Sequence, residues 1–480
     1  MTCFLEQIMP KRRKEAGIGC TLRLDKLVAT TNRPQVKVGR LSIAVVVLLF
    51  IHGVLLAYSA SRQSPTLNEP GHLVAGLSNW QFGRFELYRV NPPLVRMIAA
   101  LPVLFAGYEA DWSRFDDGPQ ARSERVLGED FVAANAERSI WLFTIARWAC
   151  VPISLIGGLF CFLWSRDFWQ DGLAGLLSLT LWCFDPNILA HGALITPDCA
   201  AATFGLGAQY LFWRWLRQPT WPRAFAAGIL LGIAEISKMT WIFLFVLWPV
   251  LWMFWIVTRP PRHPMPARRS AFAQLATILL IGIYCVNLCY GFDGIFVRLK
   301  DFVFVSKGLT KSPGTVGTAN RFGATWLGEI PMPLPQQYLL GIDAQKADFD
   351  EYDRPSYLLG EWKHGGWPYY YLCSFAVKTT HGLQSILLLA LFTLLYRWYR
   401  GTYPNGQCAP EPADFVLLLA PPLTVFALVS SQTAFNHHFR YVLPIFGFVF
   451  VAAGAIASWS SARPHETTLA LKTRDGSKLG

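Results

Sequence analysis

The chain is short of charge. Asp, Glu, Lys and Arg make up only 15% of its 480 residues, and acids are the scarcer sign, 31 against 43 bases. Soluble domains carry about 25% charged residues, so a water-soluble domain of this size is excluded. No C-x-x-C pair occurs among the ten cysteines. Cys150, Cys161, Cys183, Cys199, Cys285, Cys289 and Cys373 lie in apolar runs and read as small buried side chains, not as a disulfide or zinc framework. H-x-x-x-H and H-E-x-x-H are absent, so His72, His437 and His438 carry no metal signature, and a divalent metal is left open but not indicated. Neither a P-loop nor a Rossmann glycine fingerprint is present, which removes support for soluble nucleotide chemistry. No repeat of fixed period is visible.

What the chain has instead is long apolar runs. Hydrophobic residues make up 53%, and mean hydropathy is +0.31. Runs of roughly 20 apolar residues are the length a helix needs to cross a bilayer. The runs are uninterrupted, not alternating, so they predict helices and not a barrel. The expected fold is an all-α polytopic transmembrane bundle of about ten spans, range about 9–13, near 41–60, 141–164, 172–191, 197–216, 224–237, 239–257, 271–291, 373–396, 414–430 and 441–460. The short fifth run leaves a hairpin, two shortened spans or a re-entrant element open over 224–257.

Net charge is +12, and half of it lies in residues 1–40, with nine bases against three acids. A basic tail before the first span reads as cytosolic. Topology explains that charge, so nucleic-acid binding is not expected. The first apolar run starts at Leu41 and exceeds the ~7–15 residues of a signal-peptide core, so a cleaved signal is not read. Threading from this start puts Arg166, the Arg214–Arg217–Arg223 turn, Arg259 with Arg262, Arg268 and Arg269, Arg397 with Arg400, and the tail 461–480 inside. The division expected is a cytosolic tail 1–40, a transmembrane domain 41–460 and a cytosolic tail 461–480. Two long loops, 61–140 and 292–372, then fall outside. Within the first, Pro92 to Phe105 reads as an interfacial helix opened by Pro-Pro. The second is rich in Gly, Pro and aromatics, shows no clear helix, and closes on Trp367–Tyr371, which fits an interfacial aromatic belt.

Several polar residues stand at the outer ends of these runs. Glu69 follows the first span. Asp198 opens the fourth, where an acid beside an apolar run is either paired or functional, or simply suits the helix dipole. Asp185, before Pro186, reads as a turn residue. Lys238 interrupts an apolar stretch and either pairs with Glu235 three residues earlier or binds an anion. Arg440, after Asn436-His437-His438, either snorkels or joins the same site. With Arg89 and Arg96 flanking the interfacial helix, four cations share one membrane face with two acids. That arrangement suits a lipid-linked phosphate held by charge-assisted hydrogen bonds.

These residues fall into motifs. Asn68-Glu69-Pro70-Gly71-His72, Pro92-Pro93-Leu94, His191 to Asp198, Ser237-Lys238 and Arg440-Tyr441-Val442-Leu443-Pro444 occur in that order. Pro355 to Glu361 and Gly366 to Tyr370 join them. In this the chain, from about Leu41 to Gly454, resembles the GT-C class of membrane glycosyltransferases. The likeness lies in the family 39, protein-mannosyltransferase-like group that includes the aminoarabinose transferases of lipid A. The resemblance implies a GT-C-like fold and an integral, multi-pass protein of the cytoplasmic or inner membrane with an extracytoplasmic active site. It implies transfer of a hexose or pentose from a polyprenyl-phosphate donor to a glycan, lipid or protein hydroxyl. Glu69 and Asp198 are then the expected catalytic acids, with Glu69 as base. Lys238, Arg440, Arg89 and Arg96 are the expected phosphate ligands, and Asn68, His72, His191 and His437 the further substrate contacts. One position departs from the pattern: the family's leading Asp is Asn68, and an amide cannot take a proton. Either Glu69 does that work or the protein is an inactive binding member. A transporter or flippase for a lipid-linked or anionic substrate is the other alternative; it predicts repeat symmetry and midplane charges.

Overall fold

The computed structural model describes residues 38–259, 267–310, 320–400, 410–433 and 436–457. Arg262, the basic tail up to residue 37 and the tail 461–480 lie outside these. Helices form at all ten positions where spans are expected. The first is α1 (Val38–Arg62). Three helices then occupy the first long loop: α2 (Glu69–Phe82), α3 (Leu94–Ala106) and α4 (Glu124–Asn135). The bundle continues through α5 (Arg138–Trp169), α6 (Gly172–Phe184), the short α7 (Pro186–His191), α8 (Pro197–Arg217), α9 (Trp221–Ser237), α10 (Leu244–Thr258) and α11 (Arg268–Cys289). The second long loop carries α12 (Gln336–Asp350) and a hairpin of β1 (Ser356–Leu358) with β2 (Glu361–Lys363). The chain then forms α13 (Tyr370–Lys378), α14 (His381–Arg400), α15 (Pro412–Ser431) and α16 (Phe446–Ala453). It is an all-α integral membrane protein.

Among the described residues five helices are long and apolar enough to cross a bilayer, and the pair α13–α14, bent by 108°, makes a sixth. The other expected spans differ for identifiable reasons. The third ends at Phe184, because Asp185 turns the chain and caps α7 by accepting from the amides of Asn187 and Ile188. The open question over 224–257 resolves at Lys238. Its backbone is extended (φ −160°, ψ 130°), and it separates α9 from a 3-10 turn, Met239–Phe243, that leads into α10. The bend at residues 379–380 breaks the eighth.

Buried tryptophans pack the interior of the bundle. Phe212 stacks on Trp248 at 4.3 Å. Three of the indole N–H groups, costly to leave unpaired in an apolar medium, donate to side chains: Trp248 to Gln209, Trp215 to Gln274 and Trp213 to Asp414. His52 joins α1 to α5 and α6 through Ser154 Oγ and the Cys183 carbonyl, both at 2.9 Å. The cysteines named above are free, and four of them are buried.

Two expectations for the long loops are corrected. Loop 292–372 holds α12, which follows the Pro-rich run; its Tyr338 packs with Ile236 and Val286 of the bundle and its Leu340 with Phe302 and Phe304 of the same loop. The Trp367–Tyr371 run is no belt. Trp367, Tyr370 and Tyr371 are buried in the core, with the Trp367 amide donating to Asn436 at 2.7 Å.

One close approach positions the site. Ala201, Ala202 and Gly205 give α8 a small-residue face, and Trp241 lies across it, its indole donating to the Ala201 carbonyl at 2.9 Å. A Cβ on Gly205 would stand 1.9 Å from the Trp241 ring. That contact holds the strand-like residue Lys238 beside the start of α8. Gly205→Ala is expected to destabilise the protein by about 1–3 kcal/mol through overpacking, read as a lowered thermal midpoint in detergent.

Candidate active site

The site is built on a buried ion pair. Glu69 opens α2 and is fully buried, as is Arg147 in the middle of α5. Arg147 Nε and Nη2 meet the two oxygens of Glu69 at 2.8 and 2.6 Å. The remaining guanidinium hydrogens go to the carbonyls of Ala60, Gln63 and Ser64, where the chain leaves α1. Glu69 also accepts from the amide and hydroxyl of Thr66 and, at 3.2 Å, from the amide of Ile195. Burial pushes this carboxyl up, but the Arg147 bonds and charge and the backbone donors outweigh it and hold the carboxyl below its ordinary range. Two desolvated charges are tolerable because every lone pair and proton is met.

Asp198 lies three residues beyond Ile195, in the first turn of α8, where the helix dipole favours its charge. Its Oδ1 accepts from Lys238 Nζ at 2.7 Å, and its Oδ2 faces Arg440 Nε at 3.7 Å, an ionic contact and not a hydrogen bond. Tyr441 packs beneath both cations, 5.3 Å from Lys238 Nζ and 5.8 Å from the Arg440 guanidinium carbon. Glu235 does not compete for Lys238; its Oε2 accepts from the Tyr338 hydroxyl at 2.9 Å. Asn68, His72, Asp198, Lys238 and Arg440 line one cavity of about 230 Å³.

The second long loop closes this cavity. Gln345, Asp348 and Phe349 enter it from α12, and Arg122 enters from the first loop. Arg122 bridges the two loops, with Nη1 on Asp348 Oδ2 at 2.6 Å and Nε on Glu124 at 2.7 Å. His72 packs on Tyr88 with ring centroids 4.4 Å apart and the rings tilted by 38°. Burial, then the charges of Arg96 and Arg440, push its imidazole down to about 3, so it is neutral at physiological pH.

A second cavity, of about 270 Å³, adjoins the first at Arg440 and His438, which line both. Its other polar walls are Asn187, His191, Lys378 and His437. Among the described residues no group of three His, Cys, Asp or Glu side chains converges as metal ligands.

Residues 134–292, from the approach to α5 to the end of α11, match the family model described as dolichyl-phosphate-mannose-protein mannosyltransferase. Over this stretch the chain is similar to the GT-C membrane glycosyltransferases of family 39. The family implies a polyprenyl-phosphate sugar as donor and the bilayer as the protein's surroundings. The comparison with curated proteins returned no match. The matched stretch contains Arg147, Asp198 and Lys238; Glu69 and Arg440 lie outside it.

In this geometry the expected site residues divide into three sets. Asn68, His72, Asp198, Lys238 and Arg440 come together. His191 and His437 stand in the adjoining cavity. Glu69, Arg89 and Arg96 face neither cavity. Arg89 donates to the carbonyls of Glu86, Asp117 and Gly118, and Arg96 to Asn79 and the carbonyls of Leu87 and Tyr88. These contacts tie both arginines to the first loop. Glu69 lacks a free lone pair for an acceptor proton; it holds Asn68 and the 195–198 segment in place. Arg147, Arg122, Asp348 and His438 were not singled out as site residues. Arg147 had a signal, a lone charge deep in an apolar run. Arg122 and Asp348 had none, being ordinary charges in long loops.

Glu69→Gln strands the buried guanidinium, so a loss of about 3–5 kcal/mol of stability is expected, seen as a depressed thermal midpoint before any kinetic effect. His72 binds a proton in the unfolded chain near 6.5 but in the folded protein only near 3. Its contribution to stability is therefore complete above pH 6.5 and declines as pH falls from 6.5 toward 3. The thermal midpoint should drop between pH 7 and pH 5, and His72→Phe, which keeps a ring on Tyr88, should show a smaller drop.

Proposed function

We propose that the cavity around Asp198 transfers a hexose or pentose from a polyprenyl phosphate to an acceptor hydroxyl on the extracytoplasmic face. The observation that carries this reading is the cluster of buried Lys238 and Asp198 with half-buried Arg440, with Asn68 and His72 in the same cavity at the ends of apolar helices. The orientation is supported by charge. Arg214, Arg217, Arg259, Arg268 and Arg269 stand at the opposite helix ends; Asp198 and Arg217 are separated by nearly the whole of α8, roughly 30 Å.

The chemistry follows from the parts. A glycosyl phosphate already carries a good leaving group. It needs cations where phosphate charge develops, and a base for the acceptor. Lys238 and Arg440 supply the positive charge. Arg440 is held to Asp198 only through a 3.7 Å ionic contact, so it is the cation readiest to turn to the phosphate. As it turns, Asp198 loses one of its two counter-charges and becomes a better proton acceptor. The acceptor proton passes to Asp198, the acceptor oxygen bonds to the anomeric carbon, and the bond from that carbon to the phosphate oxygen breaks. Its electron pair remains on the phosphate. Asn68 and neutral His72 serve as hydrogen-bonding partners for sugar hydroxyls. In this reading Asp198 takes over the proton that the family pattern gives to the residue at position 68.

The test is reconstitution of the full chain in lipid with a panel of polyprenyl-phosphate sugars and mass analysis of the products. Asp198→Asn should fold and bind donor, with turnover reduced about 10²–10⁴-fold. Turnover unchanged in that variant would remove Asp198 from the reaction.

A further inference from the structure

The two adjoining cavities differ in the sign of their walls. The first holds two carboxylates, Asp198 and Asp348, against Arg122, Lys238 and Arg440. Among the described residues lining the second there is no carboxylate; Lys378, Arg440 and three imidazoles surround it. His191 Nδ1 is buried there with no hydrogen-bond partner. Lys378 makes no ion pair among the described residues and lies 6.0 Å from the ring of Phe439. Such a wall is unfavourable to a cation and suits an anion.

Its position adds the second half of the identification. Lys378 ends α13, immediately before the 108° bend into α14. Beside it the apolar side chains of Leu372 and Val377 are 62% and 74% exposed, and Leu388 and Phe392 continue an apolar exposed flank along α14. An apolar tail leaving the cavity along this bend stays in contact with apolar surface while its head group meets the cations.

We propose that the second cavity is the seat of the lipid phosphate after the sugar has gone. This rests on the glycosyl-transfer reading above. In the donor the phosphate is a diester with one negative charge. When the bond to the anomeric carbon breaks, the electron pair stays on phosphorus-bound oxygen and the product is a monoester approaching two negative charges. That added charge is repelled by Asp348, and by Asp198 once it has released the acceptor proton, and is attracted by Lys378 in the second cavity. Arg440, common to both, stays with the phosphate throughout. The product is thereby drawn away from the acceptor site, and the reverse reaction is disfavoured. Lys378 is the residue that distinguishes product from donor.

The experiment measures binding of sugar-free polyprenyl phosphate to the full chain in lipid nanodiscs, alongside the sugar-bearing donor and inorganic phosphate. Lys378 is exposed, so its variants should fold. Lys378→Met should weaken polyprenyl phosphate binding on the order of tenfold, and its inhibition of turnover likewise, with a smaller effect on the donor. Lys378→Glu should weaken it further, and Lys378→Arg should restore it. Wild-type affinity in both Lys378→Met and Lys378→Glu overturns the assignment, even where sugar transfer proceeds normally. Equal loss of donor and product affinity overturns the discrimination. Inorganic phosphate competing as well as the lipid overturns the exit along the α13–α14 bend. If polyprenyl phosphate binds through Lys378 but no polyprenyl-phosphate sugar supports transfer, the anion site stands and the reaction assigned to the first cavity falls.

Discussion

The ion pair between Glu69 and Arg147 is the constraint on which the site depends. It is buried where the chain leaves α1, enters α2 and crosses α5, and it also takes the amide of Ile195. Desolvating two charges costs several kcal/mol each unless the geometry satisfies them fully. Here the bidentate contact and six further hydrogen bonds do so, from Thr66, Ile195 and the carbonyls that end α1. The arrangement therefore fixes three segments that are distant in sequence. Asn68 is next to Glu69, and Asp198 follows Ile195 by three residues, so both cavity-lining side chains take their positions from this pair.

A second constraint brings the cations. Helix α9 stops at Lys238 because that residue is extended, and the turn after it is pinned on the small-residue face of α8 by Trp241. The ammonium group thus arrives at Asp198 from outside its own helix. Arg440 comes from the irregular 3-10 stretch before α16. Regular helix would have carried both side chains round toward the bundle or the lipid. Broken helices at the site give the polar groups access to a cavity while the rest of each segment remains apolar, which is where irregular backbone is tolerated in a membrane protein. The family 39 transferase model matches the stretch in which Arg147, Asp198 and Lys238 lie, while the cavity draws equally on segments before and after it.

The substitution of an amide for an acid at position 68 takes on a definite meaning in this setting. Asn68 lines the cavity; Glu69 does not. The two neighbours in sequence face opposite ways at the start of α2, one to substrate space and one to Arg147. Adjacency in sequence suggested that Glu69 inherits the chemistry of its neighbour, but successive residues on a helix point about 100° apart and do not share surroundings. The carboxylates that remain in the cavity are Asp198 and Asp348, each held by at least one cation.

Composition and run length by themselves determined that this is a helical membrane protein, since 53% hydrophobic residues in runs near bilayer length admit few other structures. They also placed a break at Lys238, because an isolated charge is a local signal, whereas the span expected over 172–191 ran through Asp185-Pro186, where the structure ends the helix. The sequence equally marked Asp198, Lys238 and Arg440, charges whose apolar neighbours make them conspicuous. What only the tertiary structure decided is which charges meet. Glu69, Arg89 and Arg96 are as conspicuous as Lys238, yet their partners are Arg147 or, for the two arginines, Asn79 and backbone carbonyls of the first loop. Arg122 and Asp348 are inconspicuous, yet they join across 226 residues to close the cavity. Hydrophobicity is a property of each segment and can be read along the chain. Pairing is a property of distances between segments, and those distances are set by the packing of the bundle.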